Sequence, residues 1–156
     1  MSLLSIFGCG RAKTPEYPAD RLSARDGTEF TITFFKHASL AISVGGKYIY
    51  VDPVSANADY AALPKADIVL ITGPLTTRVR DRVLAVWNEI PEPKITVAVG
   101  ICPISGGVFR EGYSIEGPVD RYLPIDVNVP GCPPRPQAIM EGVLEAVAIW
   151  RERMEG

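Results

Sequence analysis

Three strand candidates from residue 66 onward, each followed closely by a glycine, most constrain the fold. They span residues 66–72, 95–99 and 120–129. Residues 76–90 and 136–154 carry apolar side chains at helical spacing, and Pro136 suits a first helical turn. Buried strands alternating with amphipathic helices are typical of a parallel sheet. The sequence therefore predicts an α/β fold, a parallel sheet with flanking helices.

An antiparallel β-hairpin segment is predicted before that sheet. Residues 30–35, 40–44 and 47–51 are rich in β-branched and aromatic side chains, and Gly45-Gly46 separates the last two runs as in a tight hairpin. We expect the hairpin 40–51 to add at an edge of the sheet, and a short helix over 56–63. The three strands that end near residues 72, 99 and 129 are predicted to be neighbours in the parallel sheet, because right-handed crossovers leave few other arrangements.

Composition limits the number of domains and the classes of partner that the chain is expected to have. With 156 residues, 47% of them hydrophobic, the chain is predicted to form an N-terminal extension, 1–25, and a single α/β domain, 26–156. A net charge of −2 without a basic block excludes nucleic acid as an expected partner. Three cysteines without disulfide-framework spacing favour a reducing, cytoplasmic environment. The apolar segment 1–8 is too short for a direct membrane span.

Cys102 and Cys132 are the candidate metal ligands. Each follows an apolar run and lies in a loop stiffened by proline and glycine, a setting that holds a thiolate in place for a metal cluster. Loops at the carboxyl ends of parallel strands converge, so Gly73, Cys102 and Cys132 are predicted to lie near one another. Four-iron clusters normally take four thiolates, and Cys9 is a weaker candidate for a third. The alternatives are small apolar packing for Cys102 and Cys132, and a free surface thiol for Cys9.

Residues 66–154 resemble the cluster-bearing small subunit, the 20 kDa subunit family, of respiratory NADH:quinone oxidoreductase and membrane-bound energy-converting hydrogenases. The motifs that carry the likeness are Ala-Asp-Ile-Val-Leu-Ile-Thr-Gly-Pro-Leu-Thr at 66–76, Pro-Glu-Pro-Lys-Ile at 91–95 with Val-Gly-Ile-Cys at 99–102, Ser-Gly-Gly-Val-Phe at 105–109, Val-Asp-Arg-Tyr-Leu-Pro-Ile-Asp-Val at 119–127 and Val-Pro-Gly-Cys-Pro-Pro-Arg-Pro at 129–136. The resemblance implies that Cys102 and Cys132 are two of four ligands of a 4Fe–4S cluster in electron transfer. The family's paired-cysteine motif, which supplies the other two ligands, is missing here. Partner subunits of a membrane-associated redox complex are implied, with a cytoplasmic location peripheral to the inner membrane.

Residues 26–72 look instead like the N-terminal part of a metallo-β-lactamase-fold hydrolase, on the motifs at 31–40 and 44–53. That family's His-x-His-x-Asp-His metal motif is replaced by Gly73-Pro74-Leu75-Thr76, and His37 is the single histidine. No zinc is therefore expected. The change of resemblance at the shared strand 66–72 predicts a chimera of natural, engineered or generated origin, with 26–65 β-lactamase-like and 66–156 oxidoreductase-like.

The remaining polar candidates are given structural roles in preference to chemistry, and no residue is predicted to be catalytic. His37 is predicted to bond Asp52 or backbone, and Asp52 and Asp67 fit turns beside strands. Arg121 and Arg135 flank the cysteine loops. They are predicted either to tune the potential of a cluster or contact a neighbouring subunit, or to be solvated surface charges. The leading hypothesis is an electron-transfer iron–sulfur subunit with an incomplete ligand set. The alternatives are a chimeric or degenerate α/β domain without chemistry and, more weakly, a hydrolase lacking its metal motif.

Overall fold

The computed structural model describes residues 16–156, and within them seven strands form one mixed sheet whose spatial order follows the chain. This arrangement confirms the α/β fold class. The strands are β1 (Ala19–Ser23), β2 (Glu29–Phe34), β3 (Leu40–Val44), β4 (Lys47–Val51), β5 (Ile68–Ile71), β6 (Ile95–Val99) and β7 (Val127–Val129). The helices are α1 (Arg80–Glu89), α2 (Ile101–Ser105) and α3 (Pro136–Glu155), with 3-10 turns at Gly107–Phe109 and Val119–Arg121. No helix in residues 16–156 is long and apolar enough to cross a membrane.

The first four strands pair antiparallel and the last four pair parallel, with β4 shared between the two halves. Gly45 and Gly46 both have positive φ, 55° and 77°, which matches the twist of a two-residue hairpin between β3 and β4. Strands β5, β6 and β7 are parallel neighbours as predicted. Their carboxyl ends therefore share one edge of the sheet.

The two faces of the sheet are covered by different helices. Successive side chains of a strand point to opposite faces. Val69 and Ile71 pack in a cluster with Val83 of α1, whereas Ile68 belongs to a cluster with Ala146 of α3. The apolar run in β5 is continuous rather than alternating because both of its faces are buried.

Three local features differ from the predictions. The hairpin of β3 and β4 joins the parallel strands at their β5 edge, but it lies inside the whole sheet, because β1 and β2 continue the antiparallel half beyond it. β1 lies in the segment assigned to the extension, and all five of its residues are exposed, so no apolar alternation marked it. Residues 56–63 form turns instead of a helix.

The third strand candidate is also shorter than expected. Strand β7 begins only at Val127, and a 3-10 turn occupies Val119–Arg121. Pro124 has no N–H to contribute to a strand ladder. Pairing with β6 starts just beyond it, where the Asp126 N–H donates to the Thr96 carbonyl at 2.9 Å.

Both predicted long helices are present with shifted ends. Helix α1 starts at Arg80, because the N–H groups of Val79 and Arg80 both donate to the Thr76 carbonyl in a preceding turn. Helix α3 starts with Pro136 in its first turn, where the missing N–H has no intrahelical partner to lose. Gly142 lets α3 approach β7 closely, since a Cβ there would lie 2.3 Å from Cγ2 of Val129.

Candidate functional site

The two cysteine loops leave the sheet at the carboxyl ends of β6 and β7 and are bonded to each other. The Gly100 N–H donates to the Val129 carbonyl at 2.7 Å, and the Ile101 N–H donates to the Gly131 carbonyl at 2.9 Å. These bonds continue the parallel pairing past the ends of the strands. The chain positions just before Cys102 and Cys132 are thereby fixed relative to one another.

Cys102 lies in the short helix α2 rather than in an irregular loop. Pro103 is tolerated there because it falls in the first turn, where N–H groups have no intrahelical acceptor. The helix ends at Gly106, whose φ of 81° is left-handed and whose N–H donates to the Cys102 carbonyl at 2.9 Å. A Cβ on Gly107 would lie 3.4 Å from the Cys102 sulfur, so the Gly106-Gly107 pair brings backbone close to the thiol.

Cys132 lies in a tighter turn made of glycine and proline. Gly131 has a φ of 148°, and a Cβ there would lie 2.5 Å from the Pro134 Cα, so this turn requires glycine. Pro134 reaches back to the other loop, 3.7 Å from the position of a Cβ on Gly100. Cys132 is exposed and Cys102 is half-buried.

The described residues join the backbone of the two cysteine loops, and no third candidate ligand is grouped with Cys102 and Cys132 there. Within residues 16–156, no group of three or more histidine, cysteine, aspartate or glutamate side chains is placed to hold a metal ion. Cys9 lies outside the described residues. Two thiolates do not fit a cubane that normally takes four. This part of the chain therefore cannot hold such a cluster by itself.

The other polar candidates lie apart from the cysteines or at their margin. Arg121 packs over Gly117 beside a polar pocket of about 340 Å³ that Ser105 and Arg110 also line. Arg135 is the residue just before α3, makes no side-chain capping hydrogen bond there and is exposed. Gly73 lines a different pocket, next to His37 and Asp52, so the described contacts join the two cysteine loops and not all three loops.

Asp52 and Asp67 hold backbone in place. Asp52 has a φ of 44°, and its carboxylate accepts hydrogen bonds from the Thr72 N–H at 2.8 Å and from the Thr72 hydroxyl. Burial raises the pKa of Asp52, and the hydrogen bonds from Thr72 partly oppose that rise. Asp67 accepts from the Tyr48 N–H at 2.9 Å and from Lys47 at 3.2 Å. His37 has a φ of 57° in an exposed turn, and Asp52 is bonded to Thr72 rather than to it.

Sequence reasoning gave no role to Arg78 and Arg82, which line the pocket beside His37. The signal available in the sequence was their spacing of four residues within the predicted helix 76–90, although Arg78 lies in the turn before α1. It also missed Val108 and Phe109, which follow α2 and remain 76% and 54% exposed. Their position directly after Ser105-Gly106-Gly107 could have indicated a surface beside Cys102.

Comparison with known proteins identifies the family. A model of the family described as NADH ubiquinone oxidoreductase, 20 Kd subunit, matches residues 29–146. The chain belongs to this family. The match starts well before residue 66, where the sequence likeness to the small subunit was expected to begin.

Individual relatives support the same assignment. The chain is 47% identical over 91 residues to a probable membrane-bound hydrogenase subunit of Pyrococcus furiosus, covering 58% of this chain and 54% of that protein. It is 43% identical over 86 residues to an NADH-quinone oxidoreductase subunit of Rubrobacter xylanophilus, covering 54% and 34%. The chain thus spans about half the length, or less, of these curated relatives.

Among solved structures, the chain is similar to part of the membrane-bound sulfane sulfur reductase, an archaeal respiratory membrane complex. The TM-score is 0.52 at 36% identity, covering 56% of this chain and 49% of the other. A putative metal-dependent hydrolase from Parabacteroides distasonis matches with a TM-score of 0.44 at 34% identity, covering 53% of this chain and 36% of that chain. That likeness is too weak to carry an argument. The predicted chimeric origin is therefore without support.

Proposed function

We propose that this protein is an electron-transfer subunit of a membrane-associated redox complex, in which Cys102 and Cys132 contribute two thiolates to an iron–sulfur cluster. The observation that carries the proposal is the pair of backbone hydrogen bonds that tie the two cysteine loops together, at 2.7 and 2.9 Å. Membership of the 20 Kd subunit family and the hydrogenase and respiratory relatives support it. The ligand set in residues 16–156 is incomplete, so the proposal needs ligands from elsewhere.

Under this proposal, the missing cluster ligands come from Cys9, from an added thiol or from a second protein. Cys132 is exposed and Cys102 half-buried, and this accessibility supports a ligand set that is completed from outside the described residues. Val108, Phe109 and Tyr113, which follow α2 in the chain, are large apolar side chains that are exposed, and a subunit contact would cover them. The protein would accordingly sit at the membrane periphery through partner subunits.

Anaerobic reconstitution with iron and sulfide tests the cluster, with iron counting and electron paramagnetic resonance as readouts. We expect the isolated chain to retain little iron and to lose it quickly in air, because solvent reaches an incomplete site. Cys102→Ser and Cys132→Ser should each abolish the retained iron, whereas Cys9→Ser should do so only if Cys9 is a third ligand. About four irons per chain that survive air and the Cys9→Ser substitution would contradict the incomplete ligand set.

A second candidate function is a binding domain without redox chemistry. The observation that favours it is that no group of three or more metal-ligating side chains occurs in residues 16–156. Absence of iron from the wild type under every reconstitution condition, including mixtures with the large subunit of a related hydrogenase, would select this alternative. One equivalent of zinc that survives chelation and gel filtration would contradict the expectation that the chain binds no zinc.

A further inference from the structure

A second pocket opens on the same edge of the sheet as the cysteine loops but at other strands. Its volume is about 510 Å³, and it lies at the carboxyl ends of β4 and β5, where Asp52 and Gly73 line it. The turn between β2 and β3 brings His37 to one wall, and the start of α1 forms another. Neither Cys102 nor Cys132 lines it. It is therefore a separate cavity from the candidate cluster site.

The charged side chains at this pocket leave positive charge available. Arg78 and Arg82 line it, and neither forms a salt bridge with any residue in the described part of the chain. Arg80, between them in sequence, is instead paired with Asp81 at 2.9 Å and with Glu116 at 3.2 Å. Guanidinium groups bind carboxylates and phosphates through parallel hydrogen bonds. Among residues 16–156, the two arginines at the pocket thus differ from their neighbour in having no acid partner.

The carboxylate at the pocket does not cancel that charge directly. Asp52 accepts from the N–H and the hydroxyl of Thr72, so its oxygens are already bonded on the sheet side. Ser39 and Asn57, which also line the pocket, are bonded as well: the Asn57 amide donates to the Ser39 hydroxyl at 2.8 Å, and that hydroxyl donates to the Asp52 carbonyl. These hydrogen bonds hold the polar wall in place.

The rest of the lining is apolar. Val54 and Val79 are partly exposed at the pocket, whereas Leu75 and Val83, which also line it, are almost fully buried. A cavity with an apolar wall and a few polar groups at one side is the usual form of a small-molecule site. Inorganic phosphate would leave this wall in contact with water, whereas a ligand with an apolar body would cover it.

We propose that this pocket binds a small organic anion, whose carboxylate or phosphate meets Arg78 and Arg82 and whose apolar part lies against Val54 and Val79. Carboxylates and phosphate monoesters share this chemistry, and the choice between them is left to the measurement. The site is independent of iron, so it is expected to bind whether or not a cluster is present.

Titration of the full chain with phenyl phosphate, phenylacetate and inorganic phosphate tests the proposal, with amide chemical shifts and calorimetry as readouts. We expect one site, shift changes confined to the turn around His37 and to residues 73–83, and weaker binding at higher salt. Phenyl phosphate or phenylacetate should bind at least about tenfold more tightly than inorganic phosphate, because only they cover the apolar wall.

Arg82→Gln and Arg78→Gln should each weaken the binding of the preferred anion about tenfold. Arg25→Gln is the matched control, because this substitution removes the same charge far from the pocket. Arg25 lies in the turn between β1 and β2, at the opposite end of the sheet. Circular dichroism of each variant establishes that it is folded. No binding of any probe by the wild type, or equal losses in Arg25→Gln and Arg82→Gln, would overturn the proposal. Equal affinity for inorganic and phenyl phosphate would overturn the role of the apolar wall.

Discussion

The antiparallel and parallel halves of the sheet are covered to very different degrees. Every residue of β1 is exposed, and β2 contains no fully buried residue, whereas every residue of β5 and β6 is buried. Helices α1 and α3 pack on the parallel half and leave β1 and β2 largely open. Burial of apolar surface is the dominant favourable contribution to folding, so most of the stability should reside in the parallel half.

The two candidate sites follow this difference. The cysteine loops extend from the carboxyl ends of β6 and β7. Every residue of β6 is buried, and backbone hydrogen bonds join the two loops to each other. The Arg78 and Arg82 pocket lies where the halves meet, at β4 and β5, and charged side chains define it. Loops that are positioned by backbone hydrogen bonds need well-packed strands beneath them. A pocket lined by long arginine side chains can form where the strands are less completely buried.

The sharpest test of the comparison is truncation of one apolar side chain in each half. Ile95→Ala in β6 should lower the free energy of unfolding by about 2–5 kcal/mol, because Ile95 is 0% exposed and a cavity would replace it. Leu22→Ala in β1 should cost less than about 1 kcal/mol, because Leu22 is 45% exposed. Urea denaturation measures both. Similar losses in the two variants would show that the antiparallel half contributes as much as the parallel half.

Close packing of α3 on the parallel half gives a smaller effect. Gly142→Ala should lower the free energy of unfolding by about 1–3 kcal/mol, because the new Cβ would lie 2.3 Å from Cγ2 of Val129 and must displace helix or strand. The better helix propensity of alanine, up to about 1 kcal/mol, offsets part of this cost. Gly73→Ala is the control, since a Cβ there meets nothing within 4 Å. A gain in stability for Gly142→Ala would mean that α3 packs less tightly than described.

How well the sequence predicted each half also follows from burial. Continuous apolar runs predicted β5 and β6, and the glycine and proline around Cys102 and Cys132 predicted the two loops after β6 and β7, because both signals are local. β1 was missed because an exposed edge strand needs no apolar pattern. Residues 56–63 were misjudged because distant contacts determine their path: Tyr60 packs on Tyr50 and Phe35 at ring-centroid distances of 5.1 and 5.5 Å.

The candidate sites show the same limit. Sequence order placed Cys102 and Cys132 at neighbouring strand ends, since parallel strands bring their carboxyl ends together. The pocket of His37, Arg78 and Arg82 depends on a turn and a helix about forty residues apart, with no shared motif. Which arginines keep an acid partner is decided by contacts such as that of Arg80 with Glu116, 36 positions later in the chain.

The smallest predicted effect is a pH dependence at the junction of the two halves. Burial raises the pKa of Asp52, so the folded state holds this proton more tightly than the unfolded chain does. Its contribution to stability is therefore greatest at acid pH and declines as the pH rises through the folded-state pKa. Asp52→Asn should remove that decline, a difference on the order of 1 kcal/mol or less, while asparagine tolerates the φ of 44°.

The measurement is the free energy of unfolding of wild type minus that of Asp52→Asn, followed from about pH 4 to pH 8. The difference should fall with rising pH. Asp81→Asn is the matched comparison, because the hydrogen bond from Arg80 holds the pKa of Asp81 below its ordinary value and gives the opposite slope. A difference for Asp52 that rises with pH would mean that the hydrogen bonds from Thr72 outweigh burial, and that β4 and β5 meet at a charged carboxylate stabilised by the fold.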